Sequence, residues 1–97
     1  MTDRRPHVLL IMVDQLAAAW LPVYGHGVVQ APNLTALANE GVTFDAAYCP
    51  SPLCAPSRAG ILTGRNQQRF GFEHNLANNS QYGVPTGEVM IGERMKE

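Results

Sequence analysis

The stretch HVLLIMVDQ spans residues 7–15. From Val8 to Val13 it is apolar without a break, and Asp14 and Gln15 close it. A continuous apolar run suits a strand covered on both faces, as in a parallel sheet; a strand with one wet face would alternate. Pro6 lacks the N–H a ladder needs, so the strand begins after it. This run predicts an α/β protein with residues 8–13 as a central parallel strand. In open α/β sheets ligands gather outside the carboxyl ends of the strands, which is where Asp14 falls. A carboxylate beside an amide offers two hard oxygens, a set suited to Ca²⁺ or Mg²⁺ more than to zinc. Taken alone, the dipeptide reads first as a strand end or a turn cap.

Working outward, residues 16–31 hold Pro22, Gly25 and Gly27 and read as a loop with one helical turn. Pro32 then suits the first turn of a helix with Leu34, Leu37 and Ala38 on its apolar face, and Gly41 stops it. Residues 42–48 read as a second strand. Pro50 and Pro52 impose extended backbone ahead of Cys54. A helix is predicted over residues 56–63, with Pro56 in its first turn and Gly64 behind it. Residues 66–85 form a polar loop, and Thr86 caps a last helix with Ile91 and Met95 on one face. Two strands cannot cover both faces of a central one. The 97 residues therefore read as an incomplete N-terminal segment of a larger α/β domain.

Seven Lys and Arg stand against eight Asp and Glu, with no basic run. Nucleic acid and anionic membrane are thus poor partners. The first apolar run is far shorter than the ~20 residues of a membrane span. It ends in an acid with no small-residue cleavage site, so no secretory signal is read and a cytoplasmic location is expected. Cys49 and Cys54 are the two cysteines. They make no disulfide framework, and no partner pair follows at zinc-ligand spacing.

Cys54 stands at the head of LCAPSRAGILTGR, residues 53–65. Helix N-termini favour anions and activate thiols, and would equally stabilise a sulfate or phosphate group. Arg58 falls one helical turn beyond Cys54, where its planar fork can hold an oxyanion or brace residue 54. Read as isolated residues, they are a structural cysteine and a surface arginine.

Read as one string, Cys54-Ala-Pro56-Ser-Arg58 followed by Leu62-Thr-Gly64-Arg65 resembles the signature of the sulfatase family. HVLLIMVDQL is similar to that family's first strand and metal acid. APNLTALANEGVTFDAAYC is similar to the helix and strand before its modified residue, and RFGFEHN and GERMKE to the segments after it. The resemblance implies the α/β sandwich of the alkaline-phosphatase-like superfamily, with a largely parallel central sheet. It implies a small-molecule sulfate ester as substrate and a divalent cation, Ca²⁺, as cofactor.

It also implies that a separate formylglycine-generating enzyme oxidises Cys54 to formylglycine, an aldehyde. Hydration gives two hydroxyls on one carbon; one attacks sulfur and displaces the alcohol. Proton loss from the other re-forms the aldehyde and releases sulfate, which a plain serine could not do. By this resemblance Asp14, Gln15 and Cys54 are metal ligands, Cys54 is the nucleophile precursor and Arg58 its brace.

Gln15 departs from the second acid common in the family. Asp14-Gln15 and SPLCAPSRA resemble a choline-sulfatase branch, whereas RFGFEHN resembles general arylsulfatases. The same dipeptide also occurs in phosphonate monoester hydrolases, so a phosphonate monoester or phosphodiester hydrolase is the alternative enzyme, and a non-catalytic fragment the alternative outside enzymes. His26 and His74 read as loop residues that either touch substrate or are solvated, as do Trp20 and Tyr24; Cys49 reads as a small buried side chain. The chain by itself is expected to be inactive and to expose residues 8–13.

Overall fold

Helix α1 forms where Pro32 and Gly41 place it, over Pro32–Glu40. Pro32 contributes no N–H at a position where that group would lack an intrahelical partner, and its fixed φ suits the helix. The Gly41 N–H returns to the Leu37 carbonyl at 3.0 Å and closes the last turn. The computed structural model describes residues 5–76 and 83–96. They fall in two compact units, Met1–Val42 and Thr43–Glu97.

In the first unit, two 3-10 turns, Ala18–Trp20 and Pro22–Tyr24, lead from the Asp14-Gln15 turn toward α1. Gly25 ends the second turn at φ 93°, a left-handed conformation that costs glycine nothing. His26 then holds the chain: its Nδ1 accepts from the N–H groups of Val28 and Val29 at 3.3 and 3.1 Å. Its ring centroid lies 5.2 Å from that of Trp20. These contacts make His26 a brace for its loop. Within its unit α1 buries no residue, and Leu34 and Leu37 of the expected apolar face stay exposed.

Neither expected strand is formed: among the described residues none is in a β-ladder. Residues 8–13 are without regular structure and largely exposed, Leu9 at 84%. Residues 42–48 likewise carry only a bend, with Phe44 and Tyr48 exposed. The reason is that a strand is a property of a pair. Its backbone groups are satisfied only by a neighbour, and its side chains only by a covering layer.

The second unit is organised by α2, Cys54–Thr63. This helix begins two residues earlier than the sequence suggested. Proline is tolerated through the whole first turn, because none of those N–H groups has an intrahelical acceptor. The first bond inside α2 runs from the Ser57 N–H to the Leu53 carbonyl, at 3.0 Å. At its other end Gly64 takes φ 65°, and a 3-10 turn, Gln67–Phe70, folds back against the helix. Among the described residues of this unit the buried ones are Ser51, Pro56, Ala59, Gly60, Gln67 and Phe72. Gln67 ties them together, donating from Nε2 to the Pro50 carbonyl at 3.2 Å while only 3% exposed.

Gly60 is required by this packing. A Cβ there would meet Pro50 Cγ at 2.8 Å and Gln67 Oε1 at 3.3 Å. A proline ring cannot swing away as a flexible side chain does. Gly60→Ala gains ~1 kcal/mol of helix propensity but forces an overpacking cost of about 1–3 kcal/mol. A net loss of stability is expected, read as a lower midpoint in urea unfolding; an unchanged or higher midpoint would show that Pro50 yields.

Beyond the loop, Arg65 Nη1 contacts both carboxylate oxygens of Glu88 at 2.9 Å. With Arg65 half exposed, this pair stabilises by no more than ~1 kcal/mol. The last helix, α3, is short, Ile91–Arg94. Thr86 does not cap it: Thr86 lies inside a turn closed by the Glu88 N–H on the Pro85 carbonyl at 2.9 Å. The Glu93 carboxylate instead accepts from the Met90 N–H at 2.7 Å, satisfying a donor at the start of α3.

Candidate active site

Asp14 and Gln15 lie together in an exposed two-residue turn of the first unit. Gln15 has φ 57°, the one positive φ outside glycine among the described residues. Left-handed backbone costs a residue with a Cβ about 1–2 kcal/mol. Strain of this kind persists where the surrounding chain fixes it, and it collects at functional turns. Among the described residues no three His, Cys, Asp or Glu side chains gather as a metal site. The carboxylate and amide oxygens are nonetheless the hard donors a Ca²⁺-type ion takes. Two such oxygens by themselves fall short of the roughly six to eight that a Ca²⁺ ion takes.

Cys54 and Arg58 lie in the second unit, on α2. Cys54 is its first residue and exposed, and Arg58 is half-buried one turn on. The positive end of the α2 dipole therefore falls at Cys54. The N-cap residue, Leu53, has no side-chain acceptor, and Pro56 has no donor. Two of the orphan N–H groups at the helix start find side chains elsewhere. The Leu53 N–H donates to Ser51 Oγ at 3.2 Å, and the Ala55 N–H to Asn75 Oδ1 at 3.1 Å. The Cys54 thiol donates to that same Asn75 oxygen at 3.3 Å. Asn75 was missed by sequence reasoning. The signal was a helix start without a local cap, which demands an acceptor but does not say from where.

Cys49 is not buried, contrary to expectation; its thiol is exposed and donates to the Ser51 carbonyl at 3.1 Å. Polar backbone in this Pro-flanked segment gives the thiol an acceptor outside a core. His74 is exposed.

The sulfatase family profile matches residues 6–97. The chain belongs to the sulfatase family. This sulfatase chain is 42% identical over 91 residues to arylsulfatase A of Homo sapiens, covering 93% of itself and 18% of that protein. It is 37% identical over 100 residues to N-acetylgalactosamine-6-sulfatase of Canis lupus familiaris, covering 95% of itself and 19% of the relative. Against an arylsulfatase of Clostridium perfringens it is 42% identical over 76 residues, 75% of this chain and 16% of the other. The chain thus spans about a fifth of the length of these curated relatives. No solved structure matches it at a significant level. Sulfatase membership carries an alkaline-phosphatase-like α/β fold, of which the described residues supply helices and no strand. No described helix is long and apolar enough to cross a membrane.

Proposed function

We propose that this sulfatase segment provides the nucleophile-bearing part of a hydrolase for small sulfate monoesters. The observation that carries the reading is Cys54 as the exposed first residue of α2, with Arg58 one turn on, in C-A-P-S-R of a sulfatase chain. The helix dipole places partial positive charge where an anionic sulfate group has to bind. Arg58 adds a full positive charge and a planar fork that matches two oxygens at once. Together these groups would bind and orient the ester.

Residue 54 is the precursor of formylglycine, which when hydrated supplies both an attacking hydroxyl and a second hydroxyl for release of sulfate. A formylglycine-generating enzyme is the partner that reads Cys54, Pro56 and Arg58. Asp14 and Gln15 are proposed as ligands of a divalent cation, most simply Ca²⁺, which neutralises charge developing on the sulfate oxygens. The parallel sheet is proposed to form with residues 8–13 as one of its strands, which gives their exposed apolar side chains a covering layer.

The deciding test is the mass of the peptide containing residue 54, from protein isolated from its own source. Replacement of sulfur by oxygen with loss of two hydrogens establishes formylglycine; an intact thiol removes the proposed catalyst. Cation dependence has its own check. Chelation of the full-length enzyme, or Asp14→Ala, is expected to lower turnover by about 100-fold or more. Added Ca²⁺ should restore the chelated enzyme alone; full activity in a metal-free buffer would remove the cation from the reading.

Gln15 favours one further reading. An amide in place of a second acid leaves the cation site one negative charge poorer, and the Asp14-Gln15 pair resembles that of phosphonate monoester hydrolases, whose esters are singly charged like a sulfate monoester. Phosphonate monoesters or phosphodiesters are then the substrates. Turnover of an aryl sulfate against a phenyl phosphonate ester separates the two.

A further inference from the structure

We propose that Asn75 is a positioning residue for the reactive side chain at position 54. This rests on the sulfatase reading of that residue, and it concerns a contact that can be tested on the thiol itself. One oxygen, Asn75 Oδ1, takes both the Ala55 N–H at 3.1 Å and the Cys54 S–H at 3.3 Å. The backbone donor settles which end of the amide faces α2, because an N–H requires the oxygen there. That oxygen is consequently fixed relative to the helix start, and it offers a fixed acceptor to residue 54. A side chain held by its own hydrogen bond occupies one rotamer of the three staggered wells.

The arrangement follows from the local sequence. Leu53 has no side-chain oxygen to cap with, and Pro56 removes one of the two donors a usual cap would meet, leaving the Ala55 N–H. A distant residue is therefore recruited, and its oxygen falls against the side chain of 54 rather than behind it. Any S–H or O–H at that place on residue 54 finds the same acceptor. A cap alone would need to reach only the backbone donor; the second contact is what makes Asn75 a positioning residue.

Two variants of the full-length protein separate the roles. Asn75→Asp keeps the acceptor and the cap but adds negative charge beside the sulfur. Asn75→Leu keeps the approximate shape and removes the acceptor. In protein made without the modifying enzyme, iodoacetamide alkylation of Cys54 is followed by peptide mass. Freeing the thiol in Asn75→Leu should speed alkylation about threefold or more. Asn75→Asp should alkylate more slowly than the parent, because a carboxylate beside the sulfur opposes the thiolate that reacts. Equal rates in all three proteins overturn the proposal, and so does an Asp variant as fast as the parent. The Asp variant decides the matter even where the Leu variant fails to fold.

In converted protein, Asn75→Leu should lower kcat per formylglycine about tenfold with KM within about twofold, as expected for lost orientation. A change in KM alone overturns the positioning role. If residue 54 is never converted in the source, the hydrolase reading fails while the alkylation order still decides Asn75. If conversion and turnover are normal but the alkylation order is absent, the Asn75 proposal fails alone.

Discussion

Cys54→Ser in the full-length protein is expected to lose steady turnover of an aryl sulfate by about 1,000-fold or more, with its thermal unfolding unchanged. The substitution suits the test because serine fits every structural demand at this position. Residue 54 is the first residue of α2, exposed, and its side chain donates to Asn75 Oδ1. A serine hydroxyl makes the same donation and is well tolerated in a first helical turn. What serine lacks is the route to a carbon bearing two hydroxyls. It could accept sulfate once but has no second O–H on that carbon to expel it. The expected outcome is therefore a folded, inert protein, and in favourable conditions one sulfated at residue 54. A Ser variant that turns over within about tenfold of the parent would show that residue 54 is not the nucleophile precursor.

The parts of this molecule that were legible in the sequence are those set within one turn of backbone. Pro32 and Gly41 bracket α1, and Gly64 ends α2, because first-turn proline and terminal glycine act locally. The start of α2 was misplaced by two residues for the same local reason, since proline marks the first turn without saying which of its positions it holds. The family was legible because its signature, Cys54 to Arg65, is written in consecutive residues. What was not legible depends on residues far apart in the chain. Asn75 reaches Ala55 across 20 positions, and Glu88 reaches Arg65 across 23. Neither pairing has a sequence period.

Residues 8–13 are a different case. The apolar character of residues 8–13 was read correctly, yet pattern specifies only that a side chain wants cover, not that cover is present. With Val8, Leu9, Ile11 and Val13 all more than 60% exposed, the pattern stands in the structure as an unmet demand. The apolar area concerned is the kind whose burial stabilises by about 25 cal/mol per Å². In α1 the same holds for Leu34 and Leu37.

Arg58 carries the second large effect. Arg58→Ala in the full-length protein should lower kcat/KM for an aryl sulfate by about 100- to 1,000-fold, the range for removing one preorganised group that faces developing charge. Alanine is the best helix former, so α2 itself is not weakened by the change in propensity. The informative comparison is Arg58→Lys. If the residue supplied charge alone, lysine would restore most of the activity. A guanidinium one turn below residue 54 can meet two oxygens in one plane, whereas an ammonium presents a point charge on a longer tether of freedom. Lysine should therefore recover at most about a tenth of the parent value, with the deficit chiefly in kcat. Parent-like kcat with a raised KM would show that Arg58 binds the ester without orienting it. Alanine within about threefold of the parent would leave Arg58 as a surface residue of α2 and return the motif to a structural role.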